Sequence, residues 1–130
     1  MNSTDLETAV TAARALAHPA RLRILAMLRS GELCVCQLTA VLGLAPSTVS
    51  AHLRELKLAG LVAERKDGRY VHVRLAATAA AMAWIECALA HTAGSAQTVA
   101  DAAAVAALRR LPVDELCRLG ADEVRAVLAG

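Results

Sequence analysis

Phenylalanine is absent from the 130 residues, and tryptophan and tyrosine occur once each. A core without rings must be built from Ala, Leu, Val and Ile in thin, closely packed layers. A small aliphatic domain of this kind buries limited surface alone, so help from a partner subunit is expected. The longest apolar runs are short and broken by charge, so no transmembrane helix fits. No basic-then-apolar leader opens the chain. The expectation is a cytoplasmic protein without membrane contact, whose four cysteines stay reduced and open to metals rather than paired as disulfides. Catalytic signatures are missing as well. There is no Ser/His/Asp set, no paired carboxylates in a cleft-like context and no glycine-rich phosphate loop. Neither an enzyme nor an organic cofactor is expected.

What is present is alanine and helical spacing. Alanine-rich composition favours helix. Leu6, Val10, Ala13 and Leu16 recur at three to four residues, which predicts a helix from Asp5 to Leu16 after a short loose tail at 1–4. His18-Pro19 interrupts, and Pro19 is suited to the first turn of a second helix reaching about Arg29. A short third helix is expected from about Leu33 to Leu42, with Gly43 as the turn. A fourth runs from Pro46 to about Ala59, its inward side formed by Val49, Leu53, Leu56 and Leu58. Alternation then replaces helical spacing. Leu61–Arg65 and Arg69–Leu75 read as strands around Asp67-Gly68, a tight-hairpin dipeptide. A long helix is expected from Ala76 to about His91, and further helical pieces at 97–110, 113–119 and 121–129, broken by Pro112 and Gly120.

The overall net charge is only +2, but residues 46–75 hold six Arg/Lys against three acids. A local basic patch is the electrostatic footprint of nucleic-acid binding. It coincides with an ordered pattern of helix, turn, helix and hairpin. The helix from Ser47 presents Ser47, Thr48, Ser50 and His52 early, all able to reach base edges or phosphates, with Arg54 one turn on. Arg65, Lys66 and Arg69 stand at the hairpin tip, where they could lie on the phosphate backbone. The structural alternative is helix capping by Ser and Thr and ordinary solvated charges at the tip. The two features in this order favour DNA.

The stretch ALAHPARLRILAMLRSGELCVCQLTAVLGLAPSTVSAHLRELKLAGLVAERKDGRYVHVRL, Ala15–Leu75, resembles the ArsR/SmtB family of metal-sensing winged-helix repressors. The resemblance rests on AHPxRLxIL, ELCVC, LGLxxSTVSxHL and the glycine hairpin, and it covers about half the chain. It implies a mostly α fold with a β-hairpin wing. It also implies a homodimer through the first and post-wing helices, whose apo form binds operator double-stranded DNA and is released by a metal or metalloid. Two positions depart from the family pattern: Pro46 stands where many members have a polar residue such as Gln, and Ala51 where His is common. Residues 1–96 are thus read as the DNA-binding and dimerisation domain, and 97–130, outside the resemblance, as a helical C-terminal extension.

Within that family ELCVC marks thiolate sensing at the third helix. Helix N-termini stabilise thiolates independently of any family, and soft thiolates select soft ions. On a regular helix, however, Cys34 and Cys36 would point to nearly opposite sides. Sharing one ion would then require the first turn to unwind or distort, moving the helix that positions the DNA-reading element. Trivalent arsenic or antimony takes three thiolates. Where some relatives carry a third cysteine the chain has Thr39, and no cysteine precedes Cys34. The remaining candidates for the third donor are Cys117, which is favoured, and Cys87, close behind it. His91, on the post-wing helix with Glu86, lacks the paired-ligand pattern of zinc-binding relatives. A Cd(II), Pb(II) or Zn(II) sensor, which needs a fourth ligand, and a thiol redox-sensing repressor are the competing readings.

Overall fold

The computed structural model describes residues 6–129; the N-terminal tail read at 1–4 and the helix start at Asp5 lie outside them. Eight helices and three strands follow in order: α1 (Leu6–Leu16), α2 (Pro19–Leu28), β1 (Leu33–Cys34), α3 (Val35–Leu42), α4 (Pro46–Leu58), β2 (Val62–Asp67), β3 (Tyr70–Leu75), α5 (Ala79–Ala90), α6 (Ala96–Leu108), α7 (Val113–Arg118) and α8 (Ala121–Ala129). This is a winged helix-turn-helix. As expected, the core is aliphatic: Ile24, Leu25, Leu38, Leu56, Leu61, Val73 and Ile85 are all fully enclosed.

The junction between α1 and α2 shows why HPAR is where it is. His18 is the N-cap, with its Nδ1 accepting from the Ala20 amide at 3.0 Å, and Pro19 occupies the first turn, where a missing amide costs nothing. Arg21 then ties back to α1, donating to the Ala15 and Arg14 carbonyls at 2.8 and 2.9 Å. The Ala15 carbonyl is one that the end of α1 leaves open, and that of Arg14 also accepts from the Ala17 amide. On α4, Val49, Leu53 and Leu56 are buried as the spacing predicts, but Leu58 is 70% exposed, against expectation. It lies two residues past Leu56, on the other side of the last turn.

The hairpin is shifted by about one residue from its sequence reading. Asp67 pairs with Tyr70, so Gly68 and Arg69 form the turn. Gly68 has φ +61°, at the first central position, where a two-residue II′ hairpin needs a glycine. The sheet also has a third strand that the sequence did not announce. β1 pairs antiparallel with β3, Leu33 opposite Val73 and Cys34 opposite His72, and the strand order is β1-β3-β2. Two residues are too few for a period-2 pattern to show. The consequence is functional: the first cysteine of ELCVC lies in a strand paired with the wing.

The C-terminal helices pack on the helix-turn-helix. α6 lies on α2 through a bidentate pair, Arg23 Nε and Nη2 donating to Asp101 Oδ2 and Oδ1 at 2.8 and 2.9 Å. Asp101 is almost fully buried, and Gln97 donates to it as well. This partnering keeps a buried carboxylate from being an unpaired charge. At the end of α6, Arg109 donates to the Gly31 and Glu32 carbonyls and to Ser30 Oγ, holding the loop that leads into ELCVC. α7 rests against α3 with Leu116 buried.

Candidate metal centre and DNA-reading face

Cys34 is not a helical residue. It is the N-cap of α3, extended at φ −73° and ψ 148°, and its amide donates to Gln37 Oε1 at 2.7 Å. The helix begins at Val35, later than the spacing suggested, because the Cys34 amide is engaged by Gln37 and its backbone continues β1. The opposite-sides argument therefore does not apply. Cys34 approaches from a strand and Cys36 from the first turn of the helix, and α7 brings in Cys117. The three sulfur atoms lie within 4.8 Å of one another, with Cys34 buried and the other two half-buried. Of the two alternatives, unwinding or a distorted helix start, the extended Cys34 ahead of an intact α3 corresponds to the second. Small side-chain rotations close such a spacing on an ion held at about 2.3 Å.

In the structure Cys36 and Cys117 are joined as a disulfide, which departs from the expectation of four thiols. The bond and an ion are alternatives at the same sulfurs, since only thiolates ligate. Cys34 stays a free thiol. Cys87, the alternative third donor, is an exposed free thiol on α5, outside the cluster. Beside the sulfurs an apolar groove of about 660 Å³ runs between α3, α7 and α8, lined by Val35, Leu44, Leu116, Val124 and Leu128 among others. It gives a small ion access to Cys36 and Cys117.

Two residues around the centre escaped sequence reasoning. Glu32, the first letter of ELCVC, accepts from Arg65 Nη2 at 2.7 Å, and that hydrogen bond holds its carboxyl below the usual range. Asp114 on α7 accepts a hydrogen bond from the Tyr70 hydroxyl on the wing. Neither contact has a local sequence signal, because each joins segments more than thirty residues apart.

On α4, Ser47, Thr48, Ser50 and Arg54 are exposed together on the face opposite Val49, Leu53 and Leu56. His52 is placed differently from these four. It is half-buried towards α2, where its Nδ1 accepts from Arg21 Nη1 at 3.1 Å and its ring lies 4.4 Å from that of His18. Burial first, and then the neighbouring His18 and Arg21, lower its pKa and favour the neutral imidazole that this bond requires. At the wing, Lys66 is exposed, Arg65 is paired with Glu32, and Arg69 donates to Tyr70 Oη while lying 5.2 Å from the ring centre.

Residues 18–64 match the model of the bacterial regulatory proteins of the arsR family. HlyU from Vibrio cholerae is a solved structure that superposes with a TM-score of 0.62 at 34% identity, covering 72% of this chain and 99% of HlyU. The chain belongs to the ArsR family. This is a family of transcriptional regulators, not of enzymes. Among its members, the arsenic resistance transcriptional regulator ArsR1 of Pseudomonas putida is 43% identical over 63 residues, 48% of this chain and 49% of that protein. A homodimeric winged helix-turn-helix DNA-binding domain from Mycobacterium bovis, solved by NMR, has a TM-score of 0.60 at 29% identity over 70% of this chain and 90% of the domain. The chain spans about half the length of the curated ArsR and SmtB relatives it matches. Among the described residues no helix is long and apolar enough to cross a membrane.

Proposed function

We propose that this ArsR-family regulator is a metalloid-responsive repressor. Its reduced apo dimer binds operator DNA, and trivalent arsenic or antimony captured by Cys34, Cys36 and Cys117 releases it. The observation that carries this reading is the convergence of three sulfurs from β1, α3 and α7 within 4.8 Å. A trivalent ion with a lone pair takes three thiolates. Zinc or cadmium closes its tetrahedron with a fourth donor, and the group found among the described residues contains three. The relatives named for arsenic resistance support the same choice.

DNA recognition rests on Ser47, Thr48, Ser50 and Arg54 in the major groove, with Arg65, Lys66 and Arg69 on the backbone and His52 supporting α4 from behind. Dimerisation uses the outer faces of α1 and α5. Leu6, Val10 and Trp84 are 85%, 45% and 36% exposed there, an unusual outlay of large apolar surface for a monomer. The homodimeric relative supports this arrangement. Residues 1–96 would be the DNA-binding and dimerisation part, and 97–130 an extension that supplies the third thiolate. Such a regulator works in the cytoplasm.

The Cys36–Cys117 disulfide favours a second reading, in which oxidation of that pair replaces metalloid capture as the signal. The two are separated by measuring DNA release in a reducing buffer. Arsenite should release the native protein there, and Cys36→Ser should hold on. Release by oxidant alone, with arsenite inert, would establish the redox reading instead.

A further inference from the structure

α7 is six residues long and touches two functional elements. Its Cys117 joins Cys36 of α3, and its Asp114, one turn earlier, accepts a hydrogen bond from the Tyr70 hydroxyl on the wing. Tyr70 in turn receives Arg69 Nε at 3.1 Å, and the Arg69 guanidinium sits over the same ring. The side chain at the wing tip best suited to a phosphate is thereby engaged, with a carboxylate beside it.

We propose that Asp114 carries the state of the thiolate site to the DNA wing. Fixing Cys117 to the α3 cysteines docks α7, and docked α7 brings Asp114 to Tyr70. The carboxylate then competes with phosphate for the Tyr70–Arg69 pair and repels the backbone. DNA binding favours α7 undocked, and ion capture requires it docked, so each weakens the other by the same factor. This explains how a site that needs no unwinding of α3 can still act on DNA. Asp114 is a positioning residue: it touches neither the ion nor the base edges. The inference rests on the proposed metalloid reading for its natural signal, but its mechanics depend only on the closure of α7.

The test closes α7 in two ways on the full chain. Diamide, which takes two electrons and two protons from the two thiols, links Cys36 to Cys117, as verified by peptide mapping; arsenite closes the reduced site. Affinity is read by fluorescence anisotropy on a duplex selected from a random library by the reduced protein. Native protein should bind about tenfold more weakly when oxidised, within the usual range of such couplings. In Asp114→Ala the gap should shrink below about threefold, with reduced affinity and arsenite protection of the cysteines unchanged; in Tyr70→Phe, which also alters the phosphate partner, the ratio of reduced to closed affinity should shrink likewise. An undiminished gap in both variants, or no gap in native protein, would overturn the proposal. A native gap with diamide but none with arsenite would remove the metalloid reading and leave the role of Asp114 standing.

Discussion

Each thiolate donor should matter separately for induction and little for folding. Cys34→Ser, Cys36→Ser and Cys117→Ser are expected to retain DNA binding and lose release by arsenite, whereas Cys87→Ser should behave as native. Band-shift titration with arsenite in a reducing buffer checks this, and a released Cys117→Ser would remove the third donor. His52 gives a second prediction at this scale. Its pKa is lowered from 6.5 in the folded chain, so the unfolded chain binds the extra proton more readily. Its stabilising contribution is therefore present above about pH 6.5 and lost as the pH falls through the lowered value. Urea unfolding at pH 7.5 and 5.5 should show a smaller loss of stability in His52→Gln than in native protein. The cysteine pair and the polar start of α4 were legible in the sequence, because motifs of fixed short spacing are local. The partners of His52, Glu32 and Tyr70 were not, because they are set by packing between distant segments.

Among the elements, the least legible was β1. A two-residue strand has no periodicity of its own and exists because β3 offers it a ladder. Its pairing makes Cys34 extended, so the helix start gives way at Cys34 while α3 itself stays wound. The helices, by contrast, were readable to within a few residues from apolar spacing and from Pro19, Gly43 and Pro46. α6 was readable as a helix, but its seat on α2 depends on Arg23 and Asp101, 78 residues apart. Removing one partner of that pair should be costly. Asp101→Ala is expected to destabilise by about 2 kcal/mol, the scale of hydrogen bonds to charged groups, measured as a lower urea midpoint. It should also loosen α6 and so expose Cys117 to faster alkylation, since α7 follows α6 in the chain. A midpoint unchanged from native would show that the pair contributes nothing net.

For the whole molecule, the aromatic-poor composition anticipated an aliphatic core and dependence on a partner. The exposed Leu6, Val10 and Trp84 are where that dependence would be met. Val10→Glu with Trp84→Glu should shift the protein towards monomer in sedimentation and weaken DNA binding strongly, because two recognition helices act on one site. A dimer unchanged by both charges would place the interface elsewhere. In the proposed regulation three cysteines from three separate elements act as one site. The most direct measurement is arsenite titration of the fully reduced protein, followed by alkylation and peptide-by-peptide mass spectrometry. Protection of Cys34, Cys36 and Cys117 together at one arsenic per chain, with Cys87 labelled throughout, is the predicted result. Protection of Cys87 in place of Cys117, or labelling of all four at saturating arsenite, would contradict it.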